Sequence, residues 1–329
     1  MKRYAIIGCG ALGKWHLSSL LRLEASGADI RLAAIMGASP DSLTKKTTIN
    51  IGEIDLSAYD FSNCHFYDDF RELIDREKPD FVISALPTFL HSELAIYALE
   101  RGIDVFSEKP MALTLEECDA MIRAKNESGA VLMIGQCLRF DPVFRKIKEY
   151  IDTGVFGKLY RAEFSRYSKL PGWTFNNWIL DPKLSGGCVF DMHIHDVDLI
   201  NWLFGKPIRI NAVMTEKRAE RESIFAQYIY DGLLVTSAAD WSMHESYPFE
   251  ARSQFNFENA SVVVRGSELT VYTNSGEIRP ELPALDIYNE EIKAFLLATE
   301  KRCPPEEATP ESVRESIALA LSEIAAAHS

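Results

Sequence analysis

No apolar run in the chain approaches the roughly 20 residues that a membrane-spanning helix requires, so the sequence gives no reason to expect a membrane partner. Positive charge is scarce: 35 Lys and Arg face 48 Asp and Glu, for a formal charge of −13. Binding to the phosphate backbone of nucleic acid needs clustered Lys and Arg, so nucleic acid is excluded as a main partner. An anionic cofactor remains admissible wherever helix amides or a local cation supply the attraction. Cysteine is sparse as well. Cys9, Cys64, Cys118, Cys137, Cys188 and Cys303 show neither CxxC pairs nor zinc-like spacing, and read as small core residues in a reducing compartment. Met1-Lys2-Arg3 followed by Tyr4-Ala5-Ile6-Ile7 has the charge of a secretion signal but too short an apolar stretch, so a cytoplasmic protein is expected.

What the chain does have is the composition of an ordinary globular protein: 329 residues, 47% hydrophobic and 25% charged. Single cores stop growing below about 300 residues, so two domains are expected. The first third alternates short apolar runs (4–7, 30–35, 81–85, 104–107 and 131–134) with helical periodicity, the pattern of βαβ units around a parallel sheet. Thr114-x-x-Glu117 is a capping box opening one of the helices. Residues 44–62 show no period and read as a variable surface loop. After about Gly135 the pattern changes. A helix (142–152), strands near 159–166 and an aromatic loop (167–185) precede a helix at 191–203. Residues 208–273 then read as consecutive strands, with Asp231-Gly232 as the clearest hairpin turn. Two closing helices carry Tyr288, Ile292, Phe295 and Leu296, then Val313, Ile317, Leu321 and Ile324, the second opening at Thr309-Pro310. The expected fold is an α/β Rossmann domain over 1–134, followed over 135–329 by an α+β domain with a large, mostly antiparallel open sheet. The closing helices are free to pack back on the first domain.

Gly8-Cys9-Gly10-Ala11-Leu12-Gly13 follows the first strand and opens a helix, the setting in which GxGxxG cradles a dinucleotide. Gly8 permits the tight turn, Gly10 lets backbone approach a pyrophosphate, and Gly13 lets helix and strand close together. Free N–H groups at Ala11 and Leu12 face the anion. NAD-selective domains place an acid at the end of the second strand, on the ribose hydroxyls. Here that strand runs into Gly37-Ala38-Ser39-Pro40, and Asp41 comes late. Small neutral residues with a serine tolerate a 2′-phosphate, and Lys45 or Lys46 can supply charge. The expectation therefore leans to NADP, with NAD as the alternative.

Three further segments are more specific. A buried strand ends at Leu86-Pro87-Thr88 ahead of His91; the next strand ends in Glu108-Lys109-Pro110; and Gly186-Gly187-Cys188-Val189-Phe190-Asp191-Met192-His193-Ile194-His195-Asp196-Val197-Asp198 comes later. Together with the glycine motif, these closely resemble the glucose-fructose oxidoreductase / inositol dehydrogenase / MocA (Gfo/Idh/MocA) family over nearly the whole chain. The resemblance implies that Lys109 lies near nicotinamide and substrate, with Glu108 beside the cofactor and a cis Lys109–Pro110 bond. It implies that Asp191 and His195 do acid–base work, that Leu86, Pro87 and His91 run along the cofactor, and that Arg139 lies at the domain junction. Cys188 replaces a glycine common in the family.

The residue chemistry agrees. Asp191 and His195 are four apart, on one face of a helix start, so a carboxylate can orient an imidazole and raise its basicity. Oxidising an alcohol needs a base for the proton while hydride leaves the carbon. His195 is read as principal acid/base, Lys109 as positioner and proton partner, and Asp191 as orienter and substrate contact. The expected reaction is hydride transfer between nicotinamide and the CH–OH or C=O of a sugar, inositol or related polyol. An NAD-dependent glycosidase and a non-catalytic dinucleotide-binding regulator are the alternatives. Blander readings stand beside these. No metal is expected, because His193 and His195 point different ways on a helix. Asp196 and Asp198 read as acids complementing the helix dipole. Arg139 holds either a substrate hydroxyl or an interface carboxylate. Tyr167, Trp173, Phe175 and Trp178 either stack on sugar C–H faces or pack a loop. His16, His65, His244 and His328 carry no signal. A homo-oligomer formed through the C-terminal sheet is expected.

Overall fold

The apolar runs of the first third become parallel strands buried on both faces over most of their length, which is why they show no regular polar alternation. The structure, a computed structural model, describes residues 1–49, 52–172, 174–215 and 222–329. The elements begin β1 (Lys2–Ile7), α1 (Ala11–Ala25), β2 (Ile30–Met36), α2 (Pro40–Leu43), β3 (Thr47–Ile49), β4 (Gly52–Ile54), β5 (His65–Tyr67), α3 (Phe70–Glu77) and β6 (Phe81–Ser84). They continue with α4 (His91–Leu99), β7 (Asp104–Glu108), α5 (Leu115–Ser128) and β8 (Leu132–Gly135). A six-stranded sheet in the order β5-β2-β1-β6-β7-β8 is parallel throughout. Tyr4, Ala5, Ile6 and Ile7 are fully buried, and each Ile contributes roughly 1.5–3 kcal/mol of transfer free energy.

Two differences from the sequence reading are local. Within the stretch 44–62, β3 and β4 pair antiparallel as a small separate two-stranded sheet. The edge strand β5, whose three residues are too few to show a period, pairs with β2. The capping box at Thr114 and Glu117 forms as expected.

The chain continues with α6 (Pro142–Thr153), β9 (Leu159–Lys169), α7 (Pro182–Ser185) and α8 (Ile194–Phe204). The strands β10 (Arg209–Met214), β11 (Ser223–Tyr230), β12 (Leu233–Met243), β13 (Glu250–Phe257), β14 (Ser261–Arg265), β15 (Glu268–Thr273) and β16 (Gly276–Ile278) follow. The chain closes with α9 (Ile287–Lys301) and α10 (Pro310–Ala327). The second sheet has eight strands in the order β10-β11-β12-β9-β13-β14-β15-β16. Every pairing is antiparallel except β12 with β9. The β11–β12 hairpin turns at Asp231-Gly232, where Gly232 has a φ of +69°.

Two compact units result, residues 1–135 with 286–313, and residues 136–285 with 314–329. Against an expected boundary between 134 and 135, the chain divides after Gly135, and the segment Asp286–Val313 groups with the N-terminal unit. In that unit Phe295 of α9 packs edge-on against Phe81 and Phe106 of the sheet. Five of the six cysteines are buried, and burial pushes the Cys9 and Cys64 thiols up to about 12.

Candidate functional site

In the first unit, the turn after β1 divides its labour among three glycines. Gly8 has a φ of +90°, and a Cβ there would lie 2.5 Å from the Ala85 carbonyl oxygen. A Cβ on Gly13 would lie 2.2 Å from the Gly8 carbonyl oxygen, so this glycine lets α1 close on the strand. A Cβ on Gly10 would meet nothing within 4 Å: this glycine faces open space in front of the helix. Gly10 is the N-cap of the 15-residue α1, no side chain caps it, and the first turn holds no acid. Ala11 and Leu12 therefore present amides of a long helix to whatever anion lies there. That arrangement fits a dinucleotide pyrophosphate. Gly37, at φ +83°, packs its Cα side against Cys9 and Gly8, bringing the end of β2 beside the turn. Ser39 caps α2 in a reciprocal box with Ser42, and Ala38 precedes it. Lys14 extends over the same loop, donating to the Ser42 carbonyl oxygen at 2.7 Å and to the Thr47 hydroxyl at 3.1 Å.

At the carboxyl ends of β6 and β7 the unit presents two further turns. Leu86 is buried and Pro87 half-buried. His91, expected along the cofactor, is 1% exposed; its Nδ1 lies 2.8 Å from the Pro110 carbonyl oxygen and its Nε2 2.8 Å from that of Leu86. The imidazole thus ties the two turns together from inside. Burial holds its pKa below the ordinary histidine value, against the pull of the two carbonyls. The Lys109–Pro110 bond is cis. Glu108, expected beside the cofactor, points inward: its carboxyl meets His16 Nε2 at 2.5 Å and accepts the Lys109 amide at 3.1 Å. From Ile103 to Ala112, Lys109 alone retains solvent access.

The second unit holds the other candidates. Helical structure begins at Gly187, and Val189–His193 forms a π turn ahead of α8. Asp191 therefore sits in a π turn and His195 in the first α turn, which differs from the continuous α-helix expected. Wider turns of this kind recur at functional sites. Gly186 and Gly187 both have positive φ, whereas Cys188, at φ −54°, needs no glycine. Between Cys188 and Ile200, Asp191 and His195 alone keep solvent access.

The rest of that segment is held by buried ion pairs that the sequence reading missed. Arg139, weighed as a substrate ligand, is 1% exposed and forks onto Asp198 through Nε at 2.8 Å and Nη2 at 2.7 Å. Asp198 also accepts from the Ser316 hydroxyl. Arg166 likewise forks onto Asp196, at 3.2 and 2.8 Å. Both aspartates, read as acids complementing the helix dipole, are also buried partners of arginines, with Asp196 in the first turn of α8, and Arg139 spends its guanidinium on Asp198. His193 Nε2 meets Glu323 of α10 at 2.8 Å, and the Tyr228 hydroxyl donates to the same carboxylate. Burial alone would lower His193, but Glu323 more than offsets it, so its pKa is raised. Among the aromatic residues, Trp178 is half-buried in a 3-10 turn whose Asn176 and Asn177 have φ near +50°, and Tyr167 belongs to β9. Trp173 lies outside the described residues. No sequence period marks these pairs; the signal was charged residues set among apolar neighbours in 188–200.

Comparison with known proteins matches residues 2–136 to a family described as "Oxidoreductase family, NAD-binding Rossmann fold". Residues 144–276 match "GFO/IDH/MocA C-terminal domain". Among similar proteins, a 2,7-anhydro-N-acetylneuraminate hydratase of Mediterraneibacter gnavus is 33% identical over 61% of this chain and 49% of its own length. A scyllo-inositol 2-dehydrogenase (NAD(+)) of Bacillus subtilis is 31% identical over 63% and 55% respectively. The chain thus spans about half the length of these two relatives. A levoglucosan dehydrogenase solved with NADH and levoglucosan superposes with a TM-score of 0.81, at 19% identity, over 99% of this chain and 97% of that one, a likeness of fold.

Proposed function

The chain belongs to the Gfo/Idh/MocA family of oxidoreductases, and we propose that it transfers hydride between a nicotinamide dinucleotide and the CH–OH or C=O of a sugar, inositol or related polyol. One observation carries the reading: each of two otherwise buried motifs leaves only polar, proton-handling side chains open to solvent, Lys109 in one and Asp191 with His195 in the other. The nicotinamide, when bound, supplies the hydride acceptor or donor. Lys109 hydrogen-bonds the substrate oxygen and stabilises the charge it gains as its proton departs. His195 takes that proton in oxidation and returns it in reduction, and Asp191 orients the ring and contacts the substrate. Trp178 offers an apolar face for sugar C–H groups.

NADP is favoured over NAD, because residues 37–40 hold no carboxylate and the Lys14 ammonium reaches Ser42, two residues further along. A dissociation constant lower for NAD than for NADP would sink that preference. A homodimer through the second sheet is proposed from its outer surface, where Val213 and Phe225 pair in register at 67% and 54% exposure. We place the chain in the cytoplasm, where its six free cysteines stay reduced.

The hydratase relative favours one second reading, a reaction in which the cofactor is retained with no net redox change. A screen of polyols, sugars and keto-sugars with both cofactors separates the two. Steady accumulation or loss of nicotinamide absorbance supports the dehydrogenase; substrate conversion without it supports the second reading.

A further inference from the structure

Three acid–base groups with no part in the chemistry above meet inside the first unit. His16 comes from α1, Glu108 from the end of β7 and Glu291 from α9, and their ligand atoms lie within 4.8 Å of one another. His16 and Glu291 are fully buried and Glu108 is 5% exposed. The His16 ring is wedged edge-on against Phe106 and Tyr288. Glu108 reaches His16 with one oxygen and, with the other, holds the amide of Lys109. Neither oxygen of Glu291 has a hydrogen-bond partner.

A shared metal does not fit this spacing. Zinc bonds of about 2.0–2.2 Å at tetrahedral angles keep ligand atoms roughly 3.3 Å apart, whereas His16 Nε2 and Glu108 Oε1 are 2.5 Å apart. That contact is a hydrogen bond. An ionised, unpartnered carboxylate in a dry interior beside a second carboxylate is strongly disfavoured, and a proton relieves both costs. The neutral acid's O–H lies within 4.8 Å of Glu108, a separation that one water bridges.

We propose that Glu291 is kept as a neutral acid that donates toward Glu108, and that Glu291, Glu108 and His16 are positioning residues for the turn bearing Lys109. Burial, then Glu108, then Asp286 push the Glu291 pKa well above the ordinary carboxylate range. The charged groups that bear on it are Glu108 at the end of β7, paired with His16 of α1, and Asp286 at the start of α9, paired with Arg22 of α1; α1 also carries Lys14 and Glu24, and β7 carries Asp104, which Arg302 holds. When Glu291 ionises at alkaline pH, two carboxylates oppose each other and Glu108 loosens its hold on the Lys109 amide. The inference rests on Lys109 acting on the substrate as proposed above, although its first two readouts need no turnover.

The test compares the full-length chain with Glu291→Gln, a neutral isostere that still donates, and Glu291→Met, of similar volume without a donor. At neutral pH the infrared spectrum of the parent is expected to show a protonated-carboxyl C=O band absent from both variants. The Lys109 amide resonance should stay in place in Glu291→Gln and move in Glu291→Met. With substrate, Glu291→Gln should retain kcat within about threefold, whereas Glu291→Met loses about tenfold or more at unchanged KM for cofactor. Absence of the acid band, a Gln variant as disturbed as the Met variant, or one equivalent of bound zinc per chain overturns the inference. If Glu291→Met does not fold, the band and the Gln variant still decide. If band and amide behave as expected while the parent turns over no polyol or sugar, the positioning stands and the proposed activity falls.

Discussion

The turn after β1 and the segment around Asp191 reach a similar end by different means. In the first, main chain meets main chain: Gly8 lies against Ala85 and Gly13 against Gly8, and no side chain caps α1. In the second, side chains do the holding. Arg139 reaches Asp198 across 59 residues, Arg166 reaches Asp196 across 30, and His193 reaches Glu323 across 130. A site built from backbone tolerates many side chains and rejects an added Cβ. A site built from buried charges tolerates no unpaired partner, because the desolvation already incurred is then uncompensated. The turn of Glu108–Pro110 stands between the two kinds: a strand end sets its path, while His16 and Glu291 set its detail.

Four experiments bear on this contrast. The largest effect belongs to the open residues themselves: Lys109→Ala and His195→Asn should each lower kcat by about 10²- to 10⁴-fold. Dinucleotide affinity, measured by fluorescence titration, should change little, and near-normal turnover would remove these residues from the chemistry. Next, Asp198→Ala leaves the Arg139 guanidinium buried without its fork. It should cost about 3–5 kcal/mol in chemical denaturation, and a loss under 1 kcal/mol would show that the pair is not what holds α8. Third, Gly10→Ala should fold like the parent yet bind dinucleotide on the order of tenfold more weakly, since its Cβ enters only the open side of the turn. Gly8→Ala should fail to accumulate as folded protein; equal behaviour of the two variants would contradict the division of roles among the glycines.

The smallest effect is a matter of pH. Because the native pKa of His193 is raised, its pairing with Glu323 contributes fully below the unfolded value of about 6.5 and fades as pH rises through the native one. Glu323→Gln should therefore lower Tm more at pH 6 than at pH 9. A uniform drop would mean that the imidazole is neutral throughout.

Much of the first unit was legible because its determinants are local. Apolar runs of four to six residues, a glycine spacing and a capping box each act within a few positions, so β1, β2, β6, β7, β8 and α5 could be read directly, as could the hairpin at Asp231-Gly232. β5 was not legible, since three residues carry no period and pairing with β2 alone makes them a strand. The inward turn of Glu108 and the burial of His91 were hidden for a related reason: whether a polar side chain at a strand end faces solvent depends on what the neighbouring element offers it. Residue identities and their spacing determined, by themselves, the parallel sheet and the glycine turn, while Lys109, Asp191 and His195 stood out through the family resemblance of the motifs that hold them. Tertiary structure alone decided that Asp196 and Asp198 bind arginines, that His193 leans on a helix 130 residues away, and that Glu291 lies on the apolar face of α9 beside Glu108. Charge pairing in a dry interior depends on distance in space, and a linear sequence does not record that distance.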